Sequence, residues 1–158
     1  MATLAPNMKK RVTPPASADK ETTTQPLILL VEDHEDTRYL YRCVLEMGGY
    51  RIVEAKDGDE AVRIAESVLP DLILMDTNLP RVDGLMAANR IRKHSALHDV
   101  RIIFVSGNAE PRWRGVALSA GGDEYLVKPV SLDVLEKAVA SQLVIRRAKK
   151  GFMIANTC

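Results

Sequence analysis

Glu32, Asp33, Asp76, Ser106 and Lys128 are the side chains in this sequence whose types and positions can do chemistry together. Glu32 and Asp33 follow the apolar run Leu27 to Val31, Asp76 follows Leu72 to Met75, Ser106 follows Arg101 to Val105, and Lys128 follows Tyr125 to Val127. Clustered carboxylates repel one another, and each resists ionisation unless a cation offsets the charge. Magnesium suits such a set, because it is hard, prefers oxygen ligands, keeps several waters and commonly joins carboxylates to phosphate oxygens. With that ion drawing charge from a transferring phosphoryl group, Lys128 balances another of its oxygens and Ser106 hydrogen-bonds a third. Asp76 is then placed as a nucleophile that forms an aspartyl phosphate.

This chemistry requires residues far apart in sequence to share one edge of a fold. The apolar runs, with a further one at Tyr50 to Val53, are continuous rather than alternating, which marks strands covered on both faces in a parallel sheet. Between them lie helical spacings: Tyr39, Leu40, Cys43, Val44 and Met47, and later Ala61, Ile64, Ala65 and Val68. Gly48 and Gly49 end the first helix, Gly84 opens the third and Pro111 sits in the first turn of the fourth. Ser131 caps a fifth helix that runs to near Ala148. Five strands alternating with five helices predict an α/β fold, an open doubly wound parallel sheet. In such sheets ligands collect at the carboxyl ends of the strands, which is where the reactive residues fall.

Composition narrows the alternatives. Apolar residues make up 46% of the 158, enough for one substantial core, and the 22 basic and 21 acidic side chains leave no global field to attract nucleic acid. Residues 1–26, rich in Pro, Thr, Ser and Ala, read as a flexible tail, 27–148 as the folded domain and 149–158 as a short C-terminal tail. Cys43 and Cys158 form neither a disulfide framework nor a metal knuckle, which fits a reducing cytoplasm. No signal peptide or membrane-spanning run is present. His34, His94 and His98 share no metal-ligand spacing, and Arg146, Arg147, Lys149 and Lys150 form a basic cluster of the kind that complements a helix C-terminus.

Val31-Glu32-Asp33, Asp76-Thr77-Asn78-Leu79-Pro80 leading to Asp83-Gly84, Ser106-Gly107 and Tyr125-Leu126-Val127-Lys128-Pro129 together resemble the signature of the response-regulator receiver domain. The resemblance implies a flavodoxin-like sheet and a single-domain two-component signalling switch, a receiver that catalyses only its own phosphorylation and dephosphorylation. It implies that Asp76 is the phosphoacceptor and that Asp33, Asp76 and the backbone carbonyl of Asn78 bind Mg2+, with Glu32 acting through a bound water. Lys128 contacts the phosphoryl group, aimed inward by a cis bond to Pro129. Ser106 and Tyr125 form the switch, the hydroxyl moving toward the phosphate and the ring turning inward behind it, which repacks the face of the fourth helix, fifth strand and fifth helix. Ser106 stands where Thr is commoner and retains the hydroxyl.

The implied partners are a sensor histidine kinase or histidine phosphotransfer protein, a downstream protein, and a second copy through that same face. Neither direct nucleic-acid contact nor a membrane is expected, since residues 149–158 are too few for a helix-turn-helix module. A phosphorelay intermediate is an alternative role. A haloacid-dehalogenase-like phosphatase is disfavoured, because that chemistry needs a carboxylate two residues after the nucleophile and Asn78 occupies the position.

Overall fold

The computed structural model describes residues 24–156. The N-terminal tail up to residue 23 and Cys158 lie outside the described residues. Strands and helices alternate as β1 (Leu27–Val31), α1 (Glu35–Met47), β2 (Arg51–Ala55), α2 (Gly58–Val68), β3 (Leu72–Asp76), α3 (Gly84–Arg92), β4 (Arg101–Ser106), α4 (Pro111–Ser119), β5 (Glu124–Val127) and α5 (Leu132–Ala155). A single 3-10 turn, Ser95–Leu97, follows α3. All strand pairs are parallel and the order is β2-β1-β3-β4-β5, the flavodoxin-like arrangement, with its reversal between β1 and β3.

The continuous apolar runs have a physical reason. Successive strand residues point to opposite faces, and both faces are covered. Leu29, Val31, Ile73, Met75, Ile102 and Phe104 pack with side chains of α2, α3 and α4. Ile28, Leu30, Leu72, Leu74, Ile103 and Val105 pack instead with Tyr41 and Leu45 of α1 and with Leu135, Val139 and Leu143 of α5. This alternation also decides which way each residue leaves its strand. Glu32, Asp76 and Lys128 share the parity of the residues facing α1 and α5, whereas Thr77 and Ser106 share that of the residues facing α2 to α4.

Helix termini follow their local chemistry. Asp57, Asp83 and Ser131 cap α2, α3 and α5 by accepting from the backbone N–H groups of Glu60, Met86 and Val134. Pro111 occupies the first turn of α4, where its missing N–H costs nothing. The fifth helix departs from expectation: it runs on to Ala155 rather than ending near Ala148, so residues 149–155 are helix and not tail. Gly151 is the weakest helix former in this stretch and no proline interrupts it, so each added residue closes a further hydrogen bond on an existing helix.

Gly84 holds the loop after β3 against the strand end. A Cβ there would lie 2.1 Å from the carbonyl oxygen of Asp76, and the Gly84 N–H donates to the Thr77 carbonyl at 3.0 Å. Gly151 is the contrasting case, with nothing within 4 Å of an added Cβ. Gly84→Ala is therefore expected to destabilise the domain by about 1–3 kcal/mol through overpacking at the Asp76 backbone. Gly151→Ala should stabilise it by up to about 1 kcal/mol through helix propensity. Urea denaturation of the two variants measures both signs.

Candidate functional site

At the carboxyl edge of the sheet the strand ladder continues one bond past the strands and fixes where the polar residues start. Glu32 N–H donates to the Ala55 carbonyl (3.1 Å), Thr77 N–H to Val105 (3.1 Å) and Lys128 N–H to Ser106 (2.7 Å). The side chains then converge as their parity requires. Lys128 Nζ donates to Asp76 Oδ2 at 2.7 Å and to Glu32 Oε2 at 2.9 Å. The second oxygens are held as well, Asp76 Oδ1 by the Asn78 N–H (2.8 Å) and Glu32 Oε1 by the His34 N–H (3.1 Å). Glu32 and Asp76 are buried, at 2% and 6% exposure, while Asp33 is exposed. The Lys128–Pro129 bond is cis.

The electrostatics of this edge are unbalanced. Burial, reinforced by the Asp76 charge, raises the Glu32 carboxyl above the ordinary carboxylate value despite the hydrogen bond from Lys128. Burial alone would lower the Lys128 ammonium, but the hydrogen bonds and charges of Asp76 and Glu32 outweigh it and hold the group above its ordinary value. Tyr41 of α1 is buried against the same cluster and its hydroxyl is raised, chiefly by burial. The amino edge of the sheet shows the opposite arrangement. There Asp123 meets Arg92 and Arg101 at 3.0 and 3.1 Å, and Asp71 pairs with Arg146.

Oxygen atoms of Glu32, Asp33 and Asp76 all lie within 4.8 Å of one another. This is an all-oxygen donor set with one ammonium against three carboxylates, and its exposed member opens it to solvent. Those properties fit a hard divalent cation that retains water or a phosphate oxygen among its ligands.

On the other face, Ser106 and Thr77 meet. Thr77 Oγ1 donates to Ser106 Oγ at 2.8 Å, and Ser106 Oγ also accepts the Asn108 N–H at 3.2 Å. Thr77 is a residue the sequence reading passed over, although it lies inside the quoted motif directly after Asp76. Its role is visible only once β3 and β4 are paired in register. Beside this pair lies a cavity of about 430 Å³ bordered by Thr77, Asp83, Ser106, Trp113 and Tyr125. The Tyr125 ring is already turned inward, 5% exposed, with its hydroxyl donating to the Asn108 carbonyl at 2.8 Å. Trp113 is half-buried against the core, and its indole Nε1 has no hydrogen-bond partner among the described residues. The structure thus brings Glu32, Asp33, Asp76, Asn78 and Lys128 together on one side, and Ser106 and Tyr125 with Thr77 on the other.

The sequence matches the profile of the Response regulator receiver domain over residues 28–140. The chain belongs to the response-regulator receiver family. It is 39% identical to the transcriptional regulatory protein YxdJ of Bacillus subtilis over 121 residues, covering 77% of this chain and 51% of that protein. Among solved structures it resembles the receiver domain of a sensor histidine kinase from Pseudomonas aeruginosa, with magnesium coordinated in that domain's active-site cleft. The match has 36% identity and a TM-score of 0.71, over 75% of this chain and 98% of the other. It also resembles a CheY-like receiver from Methanospirillum hungatei, with 25% identity and a TM-score of 0.75, over 80% and 99% of the two chains. The chain spans about half the length of the curated relatives it matches first. The matches are to receiver domains of two-component signalling, and a haloacid-dehalogenase phosphatase has no support in them. Among the described residues no helix is long and apolar enough to cross a membrane.

Lys128 supplies the one cation hydrogen-bonded to both Glu32 and Asp76 among the described residues. Lys128→Met should therefore destabilise the metal-free domain by about 2–3 kcal/mol. This is less than the roughly 3–5 of a fully buried pair, because the ammonium keeps some solvent contact. Adding Glu32→Gln to Lys128→Met should recover part of that loss by removing one of the stranded charges. Thermal or chemical denaturation of the single and double variants in chelator measures the coupling.

Proposed function

We propose that this receiver is a phosphorylation switch in which a carboxylate oxygen of Asp76 takes a phosphoryl group from a phosphohistidine of a sensor kinase or histidine phosphotransfer protein. The observation that carries this reading is the pairing of Asp76 Oδ2 with Lys128 Nζ at 2.7 Å, beside Glu32 and Asp33, at the carboxyl edge of the sheet. In the transfer the P–N bond to histidine breaks and a P–O bond to Asp76 forms, while the departing imidazole keeps the bonding electron pair and takes up a proton. Lys128 releases Asp76 Oδ2 to balance a phosphoryl oxygen, and the Asn78 N–H continues to orient the carboxylate. Asp33, Asp76 and the Asn78 carbonyl would hold Mg2+, with Glu32 through water. When bound, the ion supplies positive charge to the phosphoryl oxygens.

The readout follows from the second face of the site. Ser106 gives up its bond with Thr77 to donate to the phosphoryl group, and the segment from Asn108 to Tyr125 adjusts with it, because Ser106 Oγ holds the Asn108 N–H and Tyr125 holds the Asn108 carbonyl. The changed face of α4, β5 and α5 then binds a downstream protein or a second copy.

Two experiments test this. Acetyl phosphate with magnesium should add one phosphoryl mass to the wild type and none to Asp76→Asn, and labelling of that variant would refute the assignment. In the same assay Asp33→Ala should weaken the magnesium dependence more than Glu32→Gln. For the switch, beryllofluoride should shift amide resonances from residue 109 to residue 145 in the wild type. In Ser106→Ala the shifts should contract to the surroundings of Asp76 while phosphorylation itself persists.

A further inference from the structure

The last turns of α5 lie at the amino edge of the sheet, away from Asp76, as the pairing of Arg146 with Asp71 at the start of β3 shows. No acidic residue follows Glu136 in the sequence, whereas Arg146, Arg147, Lys149 and Lys150 fall within five positions. Arg146 pairs with Asp71, whose other oxygen accepts the Leu27 N–H at 2.9 Å. Among the described residues Arg147, Lys149 and Lys150 form no salt bridge. Arg146, Arg147 and Lys150 line a cleft of about 150 Å³ with Thr24, Pro26 and Asp71, and the Arg146 Nε is buried there without a hydrogen-bond partner. Burial, with a contribution from the neighbouring Arg146, lowers the Lys150 ammonium against the opposing charge of Asp99.

Immediately beyond these cations the helix turns apolar. Phe152, Met153 and Ile154 are 70%, 60% and 73% exposed. At about 100° per residue they span roughly 200° round the axis, so the apolar surface covers more of the helix tip than a stripe for one packed neighbour. Ile154 lies roughly 6 Å beyond Lys150 along the axis at about 1.5 Å per residue. The apolar side chains therefore begin within about one helical turn beyond the cationic collar.

We propose that the C-terminal end of α5 is a reversible docking site for an anionic lipid surface, with Phe152, Met153 and Ile154 inserted at the acyl boundary and the collar of Arg147, Lys149 and Lys150 against lipid phosphates. The arrangement lies on a bilayer and does not cross one. A second copy is a poorer occupant, since it would bring one cationic collar against another. A nucleic acid would match the cations but leave three consecutive apolar side chains unburied. Docking at this edge leaves the carboxyl edge of the sheet facing away from the membrane, so the proposal does not depend on the phosphorylation reading.

The test is co-sedimentation of the full chain with vesicles of phosphatidylcholine alone or with added phosphatidylserine. The chain should bind the anionic vesicles only and be released by salt. Arg147→Gln and Lys150→Gln should each lower the partition coefficient about five-fold. Phe152→Ser combined with Ile154→Ser should abolish binding without changing the melting temperature, because both side chains are exposed. Absence of binding to phosphatidylserine vesicles overturns the proposal, as does undiminished binding of the serine variant. It is equally overturned if the wild type is a dimer by analytical ultracentrifugation and the serine variant a monomer, or if duplex DNA retains both proteins alike while the vesicles retain neither.

Discussion

The hydrogen bonds from Lys128 Nζ to Asp76 and Glu32 are the constraint around which this receiver is organised. Burial at the sheet edge and the neighbouring Asp76 charge favour protonation of Glu32, and the ammonium hydrogen-bonded to both carboxylates opposes that tendency. Asp33 adds a further negative charge in solvent. The cluster is thereby kept acidic and compact at the same time, the condition under which an oxygen-seeking cation or the charge of a phosphoryl group finds a partner. A fully neutralised edge would fold more readily and offer a ligand less.

The sheet supports this imbalance by its asymmetry. Its amino edge is neutralised by side chains of the scaffold itself, with Asp123 held by Arg92 and Arg101 and Asp71 by Arg146. Arg92 also donates to the carbonyls of Leu97, Val100 and Gly121, tying the 3-10 turn and the approach to β5 to the end of α3. Its guanidinium is lowered chiefly by burial, with the Arg101 charge adding to the effect and Asp123 offsetting it in part. The edge without reactive residues is thus cross-linked, and the edge that carries them is left short of cations.

The two faces of the sheet divide the work of a switch. On the side of α1 and α5 lie the charged groups, and on the side of α2 to α4 lies the neutral relay of Thr77, Ser106, Asn108 and Tyr125 beside a cavity. A backbone one residue wide separates them, since Asp76 and Thr77 are neighbours in sequence and point to opposite faces. In the proposed switch, charge introduced at Asp76 would reach the relay through the Ser106 hydroxyl without passing through the core.

Much of this was legible in the sequence. Continuous apolar runs separated by helical spacing are enough for a two-sided parallel sheet, because only strands covered on both faces lack alternation. Carboxylates, a hydroxyl and a lysine placed directly after those runs fall on one edge in any such fold. The Ser131 cap is local and was readable from its own neighbourhood. What depends on contacts between distant segments was not. The partnership of Thr77 with Ser106 arises from the register of β3 against β4. The inward setting of Tyr125 arises from a carbonyl on the following loop of β4. The extension of α5 to Ala155 was missed because a basic stretch containing Gly151 resembles a helix end by local rules. Local rules count propensities and caps, whereas the tertiary structure decides by whether Arg146 finds Asp71 and Leu143 finds the core, and both lie on the helix before the glycine.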